Sequence, residues 1–128
     1  MEDLKVLVID DDPMTCNLLE TILQMEKYQT VSANHVTNDD IVSLLDKEKP
    51  HLVIMDFYLG AKETLEYMVT VRASETWQGL PILMTSAIDR SKDCLKAGAN
   101  DFIVKPFDWQ EVTRRVNNIR DRLIYQEV

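Results

Sequence analysis

The chain has 128 residues, 45% of them apolar and 28% charged, and carries a net charge of −8. That length suits one domain with a single core and leaves no room for a second. The negative charge repels a nucleic acid backbone, which argues against direct DNA or RNA binding by this chain, and no apolar run is long enough to span a bilayer.

The opening Met1-Glu2-Asp3-Leu4-Lys5 lacks the basic segment and long apolar stretch of a secretory leader, so a cytoplasmic location is expected. The first strand is Val6-Leu7-Val8-Ile9, followed by Asp10-Asp11-Asp12-Pro13. Asp12 suits an N-cap and Pro13 the first helical position. Met14, Leu18, Ile22 and Met25 repeat at helical spacing and predict a core-facing stripe. Tyr28 to Ala33 alternates weakly, as an edge strand does. Asn38 predicts a cap for a short helix carrying Ile41, Leu44 and Leu45. The third strand, Leu52-Val53-Ile54-Met55, ends at Asp56.

A loop with Gly60 then leads to a helix bearing Leu65, Met68 and Val69. Leu80 to Met84 predicts a fourth strand, with Pro81 tolerated near its start. A short helix follows and stops at Gly98, a residue suited to the position just past a helix C-cap. Phe102-Ile103-Val104 is the fifth strand. After Lys105-Pro106-Phe107, Asp108 and Glu111 predict a capping pair, and Val112, Val116, Ile119 and Leu123 stripe the last helix. Cys16 and Cys94 read as small buried hydrophobes, with no metal-ligand spacing between them. His35 and His51 have no partner at ligand spacing and are assigned no catalytic role. Trp77 in a loop and Trp109 at the start of the last helix have no role that the sequence defines.

Five strands alternating with five helices predict a parallel sheet covered by helices on both faces. Right-handed crossovers bring every strand C-terminus to one edge, where ligands bind in such sheets. The residues at those ends are Asp10, Asp11, Asp56, Thr85, Ser86 and Lys105. Carboxylates brought this close should raise at least one pKa unless a cation intervenes. Mg²⁺ fits the requirement, since it prefers oxygen and is typically held by one or two carboxylates with waters and phosphate oxygens. An aspartate beside it can attack phosphorus as a carboxylate nucleophile. The equatorial oxygens of the transferring group then need neutralising, by the metal, by Lys105 and by a hydroxyl from Ser86, with Thr85 as the second choice.

Four strings carry a resemblance: Val8-Ile9-Asp10-Asp11-Asp12-Pro13, Val53-Ile54-Met55-Asp56, Met84-Thr85-Ser86-Ala87 and Lys105-Pro106-Phe107. In order and spacing the chain resembles the receiver domains of two-component response regulators, with residues 1–128 as one receiver domain. The resemblance implies a doubly wound, flavodoxin-like α/β fold with a five-stranded parallel sheet of order 2-1-3-4-5 and five helices. It implies that Asp56 accepts a phosphoryl group as an acyl phosphate from a sensor histidine kinase or a histidine phosphotransfer protein, and so switches binding to a downstream effector. Asp11 and Asp56 would ligate Mg²⁺ directly, the backbone carbonyl of Tyr58 would add a third protein ligand, and Asp10 would act through a bound water. Ser86 would turn its hydroxyl to the phosphoryl group, Lys105 would pair with it, and Phe102 would turn inward once Ser86 has moved. The Lys105–Pro106 peptide is expected to be cis. Such a module is a switch rather than a turnover enzyme, catalysing only its own phosphorylation and dephosphorylation.

The chain departs from that family in the stretch Phe57-Tyr58-Leu59-Gly60-Ala61-Lys62-Glu63-Thr64, which lacks the usual proline and has Thr64 where a glycine is common. The loop after Asp56 is therefore expected to take its own path. The segment from Ser86 to Gly98 predicts a fourth helix about one turn short, which weakens the family's habit of pairing through the fourth and fifth helices to a weak homodimer at most. Phe102 replaces a frequent tyrosine. Tyr58 and Ile88, each two residues beyond a site residue, should flank the approach of water to phosphorus, and slow autodephosphorylation is expected. The chief competing reading is a phosphatase of haloacid dehalogenase type with Asp10 as nucleophile. A flavodoxin-type electron carrier is the other, although the acidic triplet would repel a flavin phosphate. The ending Gln126-Glu127-Val128, with no output domain after it, suits either a stand-alone regulator or a piece of a larger protein.

Overall fold

A computed structural model of the chain describes residues 4–127; the expectation about a leader at Met1 to Asp3 and the reading of Val128 lie outside them. The elements in chain order are β1 (Lys5–Ile9), α1 (Pro13–Met25), β2 (Gln29–Ala33), α2 (Ile41–Glu48), β3 (Leu52–Asp56), β4 (Tyr58–Leu59), β5 (Lys62–Glu63), α3 (Leu65–Ala73), β6 (Ile82–Ser86), α4 (Ser91–Lys96), β7 (Asp101–Val104) and α5 (Trp109–Glu127). Five strands pair in parallel in the order β2-β1-β3-β6-β7. The predicted fourth and fifth strands are β6 and β7, because a two-stranded antiparallel ribbon, β4-β5, intervenes. The fold is the expected flavodoxin-like, doubly wound sheet with five helices.

Alternation along the strands splits the interior into two layers. Leu7 and Ile9, Val53 and Met55, and Ile82 and Met84 face α2, α3 and α4, where Ile41, Leu45, Tyr67, Met68, Val71 and Cys94 meet them. Val6 and Val8, Leu52 and Ile54, Leu83 and Ile103 face α1 and α5, against Cys16, Leu19, Ile22, Leu23, Val112, Val116 and Ile119. Central strands with apolar residues on both faces read as unbroken apolar runs, which is why β1 and β3 stand out in the sequence. Burial raises both thiols, Cys16 and Cys94, to about 11, so they stay protonated at neutral pH.

Several local expectations need correction. The core stripe of α1 is Cys16, Leu19, Ile22 and Leu23, while Met14, Leu18 and Met25 are exposed. Both stripes pass through Ile22, so the true face is rotated toward the sheet from the predicted one. On α3 the buried residues are Tyr67, Met68 and Val71, and Val69 is exposed. Asp40, not Asn38, is the N-cap of α2; Asn38 instead accepts a hydrogen bond from the Thr70 hydroxyl at 2.7 Å. Asp108 accepts from the Gln110 amide at 2.9 Å, but Glu111 pairs with Arg115 at 3.1 Å rather than reaching back to the cap. Other expectations stand: Asp12 caps α1 by accepting from the Met14 amide at 3.1 Å, and Gly98 follows the C-cap of the short α4 with φ +110°. The Lys105–Pro106 peptide is cis.

Candidate functional site

β1 and β3 are neighbours, with Ile9 beside Met55, so Asp10, just past β1, and Asp56, the last residue of β3, emerge side by side. Asp11 follows on the turn into α1. Ligand oxygens from Asp10, Asp11 and Asp56 all lie within 4.8 Å of one another. Asp10 is 2% exposed and Asp56 8%, whereas Asp11 is open to solvent. Lys105, carried from the end of β7, places its ammonium between the two buried carboxylates: Nζ donates to Asp10 Oδ2 at 2.8 Å and to Asp56 Oδ2. Three carboxylates against one ammonium leave the rim with two negative charges uncompensated, a donor set suited to a hard, oxygen-seeking cation such as Mg²⁺.

The remaining oxygens are held by backbone amides. Asp10 Oδ1 accepts from the Asp12 amide at 2.9 Å, Asp56 Oδ1 from the Tyr58 amide at 2.7 Å, and Asp11 Oδ2 from the Gly60 amide at 2.9 Å. Gly60 adopts φ +63° at the tip of the β4-β5 ribbon, a left-handed conformation that glycine enters readily, and so carries its amide over Asp11. Burial raises the pKa of Asp10, against the opposing pull of the Lys105 and Asp12 hydrogen bonds, and the charge on Asp56 adds a smaller push in the same direction. The sequence predicts a raised carboxylate by mutual repulsion; here desolvation is the larger cause. Burial alone would depress the Lys105 ammonium, but its hydrogen bonds to Asp10 and Asp56 outweigh that and raise it.

The hydroxyls stand on the next strand. Thr85 pairs in register with Asp56. Ser86 is 2% exposed, and its Oγ accepts from the Ile88 amide at 3.2 Å. Phe102 is already buried, packed with Met84, Cys94 and Ala99. Ile88 is exposed and Tyr58 half-buried beside the site. His51 accepts from the Lys5 amide through Nδ1 at the far end of β1.

Two contributors carry little sequence signal. Thr64 is fully buried; its hydroxyl donates to the Asp56 carbonyl at 2.7 Å, and its amide donates to the Phe57 carbonyl at 2.8 Å. Its place in the loop after Asp56 marks it as unusual, but nothing in one sequence discloses the bond. Asn34 donates from Nδ2 to the Asp10 carbonyl at 2.9 Å, across from the end of β2.

An acidic cluster countered by one lysine thus stands at the carboxyl edge of a doubly wound sheet. The chain belongs to the response regulator receiver domain family, whose model matches residues 6–117. It is 30% identical to a protein described as a response regulator from Chloroflexus aurantiacus, with 92% of this chain and 98% of that one aligned at a TM-score of 0.82. It is 25% identical to the receiver domain of NtrX from Brucella abortus, over 89% and 96% of the two chains, with a TM-score of 0.77. The chemotaxis response regulator CheY4 of Vibrio cholerae shares the fold at 21% identity, 91% and 98% coverage and a TM-score of 0.79. A haloacid dehalogenase with Asp10 as nucleophile is not supported, because the matching family is another one. No helix among the described residues is long and apolar enough to cross a membrane.

Proposed function

We propose that Asp56 accepts a phosphoryl group from a phosphohistidine on a sensor kinase or a histidine phosphotransfer protein, and that residues 1–128 act in the cytoplasm as one receiver domain. The observation that carries this reading is the Lys105 ammonium bridging two buried carboxylates beside a third. A carboxylate oxygen of Asp56 attacks phosphorus, the bond from phosphorus to the donor imidazole nitrogen breaks, and its electron pair stays on that nitrogen. Mg²⁺ would be held by Asp11, Asp56 and the Tyr58 carbonyl, with Asp10 acting through water, and would neutralise charge on the equatorial phosphoryl oxygens. Lys105 pairs with the same group once Asp56 carries it. Ser86 exchanges the Ile88 amide for a phosphoryl oxygen, and Phe102 packs behind it.

The chain catalyses only this transfer and the later loss of the phosphoryl group to water. Tyr58 and Ile88 limit water access and make that loss slow. The switched surface addresses a downstream effector protein rather than nucleic acid. The six-residue α4 leaves at most a weak homodimer along the α4–α5 face.

The test is intact-mass measurement after incubation with Mg²⁺ and acetyl phosphate. One added phosphoryl group is expected, absent without Mg²⁺ and absent in Asp56→Asn. An adduct that persists in Asp56→Asn would move the nucleophile elsewhere.

A further inference from the structure

Arg90 lies outside the four strings that mark the active site, yet it touches both segments that border it. Its guanidinium stands over the ring of Phe57, 5.3 Å from the centroid, and Nη2 donates to the Tyr58 hydroxyl at 3.0 Å. Phe57 is fully buried, and the Tyr58 ring meets it edge to face at 4.8 Å and 70°. Arg90 Nε is enclosed with no hydrogen-bond partner among the described residues, and the ion pair with Asp93 is long, at 3.9 Å. The group is therefore placed by the two aromatic residues after Asp56 more than by a carboxylate. A planar guanidinium suits that task, since it can stack on one ring while donating to the hydroxyl of the next.

The other end of the connection reaches the switching hydroxyl. Arg90 follows Ile88 by two residues, and the Ile88 amide donates to Ser86 Oγ. On the near side, the Tyr58 amide donates to Asp56 Oδ1. The chain of contacts thus runs from Asp56 through Tyr58 and Arg90 to the loop that Ser86 holds.

We propose that Arg90 is a positioning residue that fixes Tyr58 beside Asp56, and so sets how long the acyl phosphate survives. This rests on Asp56 being the phosphoacceptor. In the step that ends the signal, a water oxygen bonds to phosphorus and the bond between phosphorus and the Asp56 oxygen breaks. Its electron pair returns to the carboxylate, and inorganic phosphate and a proton leave to solvent. A Tyr58 ring pinned by Arg90 occupies the side from which that water approaches. A ring free to turn admits it.

The experiment follows loss of the phosphoryl group from wild type, Arg90→Ala, Arg90→Lys, Tyr58→Phe and the Arg90→Ala/Tyr58→Phe pair, after loading with acetyl phosphate and Mg²⁺. Hydrolysis is expected to quicken roughly fivefold in Arg90→Ala, the scale of the one hydrogen bond to the Tyr58 hydroxyl. Tyr58→Phe should match it, the pair should be no faster than either alone, and Arg90→Lys should recover part of the lifetime. Melting temperatures measured alongside separate this from general loosening, because the two conservative variants keep the ring or the charge. Lifetimes within twofold of wild type, or effects that multiply in the pair, would overturn the proposal. An Arg90→Ala chain that fails to fold leaves Tyr58→Phe and Arg90→Lys to decide it by the same criterion. A wild type that gains no phosphoryl group would instead overturn the phosphoacceptor reading on which this rests.

Discussion

At the scale of single residues, the site is held by backbone amides as much as by side chains. Each carboxylate has one oxygen bonded to an amide in a following turn or ribbon, which leaves its other oxygen for Lys105 or for a cation. Thr64 acts one step further out. Its buried hydroxyl donates to the carbonyl of Asp56 itself, and so restrains the backbone at the point where β3 becomes the ribbon. The same hydroxyl lies 3.2 Å from the Phe57 carbonyl. Replacing it by a methyl of nearly the same shape, Thr64→Val, leaves the Asp56 carbonyl buried without that donor. The expected loss is about 1–2 kcal/mol by denaturant unfolding, the usual cost of one unmet buried hydrogen bond. A change below about 0.5 kcal/mol would show that water replaces the hydroxyl. The functional carboxylates were legible because they end apolar strands. Thr64 and Asn34 were not, because a hydroxyl or amide that bonds a distant carbonyl leaves no periodic trace.

At the scale of elements, strands and their order were readable because residues buried on both faces form short apolar runs. Helix faces were less so. The α1 sequence PMTCNLLETILQM has apolar residues around much of its circumference, and periodicity alone could not choose the rotation that puts Cys16, Leu19, Ile22 and Leu23 on the sheet. The β4-β5 ribbon was hidden for another reason: two-residue strands are too short to alternate. The short α4 was foreseen from segment length, and what braces it was not. Arg72 on α3 spans the gap below it, donating to the Gly98 carbonyl at 2.7 Å, the Leu80 carbonyl at 2.7 Å, the Gln78 carbonyl at 3.0 Å and the Asn100 side chain at 3.2 Å. The positive φ of Gly98 favours glycine there, and a Cβ would stand 3.2 Å from Arg72 Nε and press on that side chain. Burial lowers the Arg72 pKa, yet every one of these partners is uncharged. Arg72→Ala should cost about 2–4 kcal/mol and expose the α4 amides to hydrogen exchange before those of β1 and β3. Equal protection of α4 and the central strands in the variant would show that Arg72 does not hold this end of the molecule.

At the scale of the whole molecule, a chain of net charge −8 gathers three of its carboxylates at one functional edge. Parallel strands with right-handed crossovers gather three carboxylates from β1 and β3, and the fold supplies one ammonium from β7 against them. Asp10, its pKa raised by burial, is favoured in its protonated form by the folded chain, so its share of stability is present at acid pH and is lost as pH rises through its folded pKa. A cation beside Lys105 would offset the negative charge that the three carboxylates place at this edge. Mg²⁺ at ten times its dissociation constant should therefore stabilise the fold by about 1.4 kcal/mol, or roughly 5 °C in Tm. Asp11→Asn is the informative control. Asp11 is exposed, so the substitution alone should shift stability by no more than about 0.5 kcal/mol while removing a ligand oxygen. Wild type should gain stability in Mg²⁺ and the variant should gain little, with Na⁺ at matched ionic strength setting the baseline for simple screening. Equal gains in both proteins would mean that the cation only screens the acidic surface; a gain confined to wild type would mean that the three aspartates hold it.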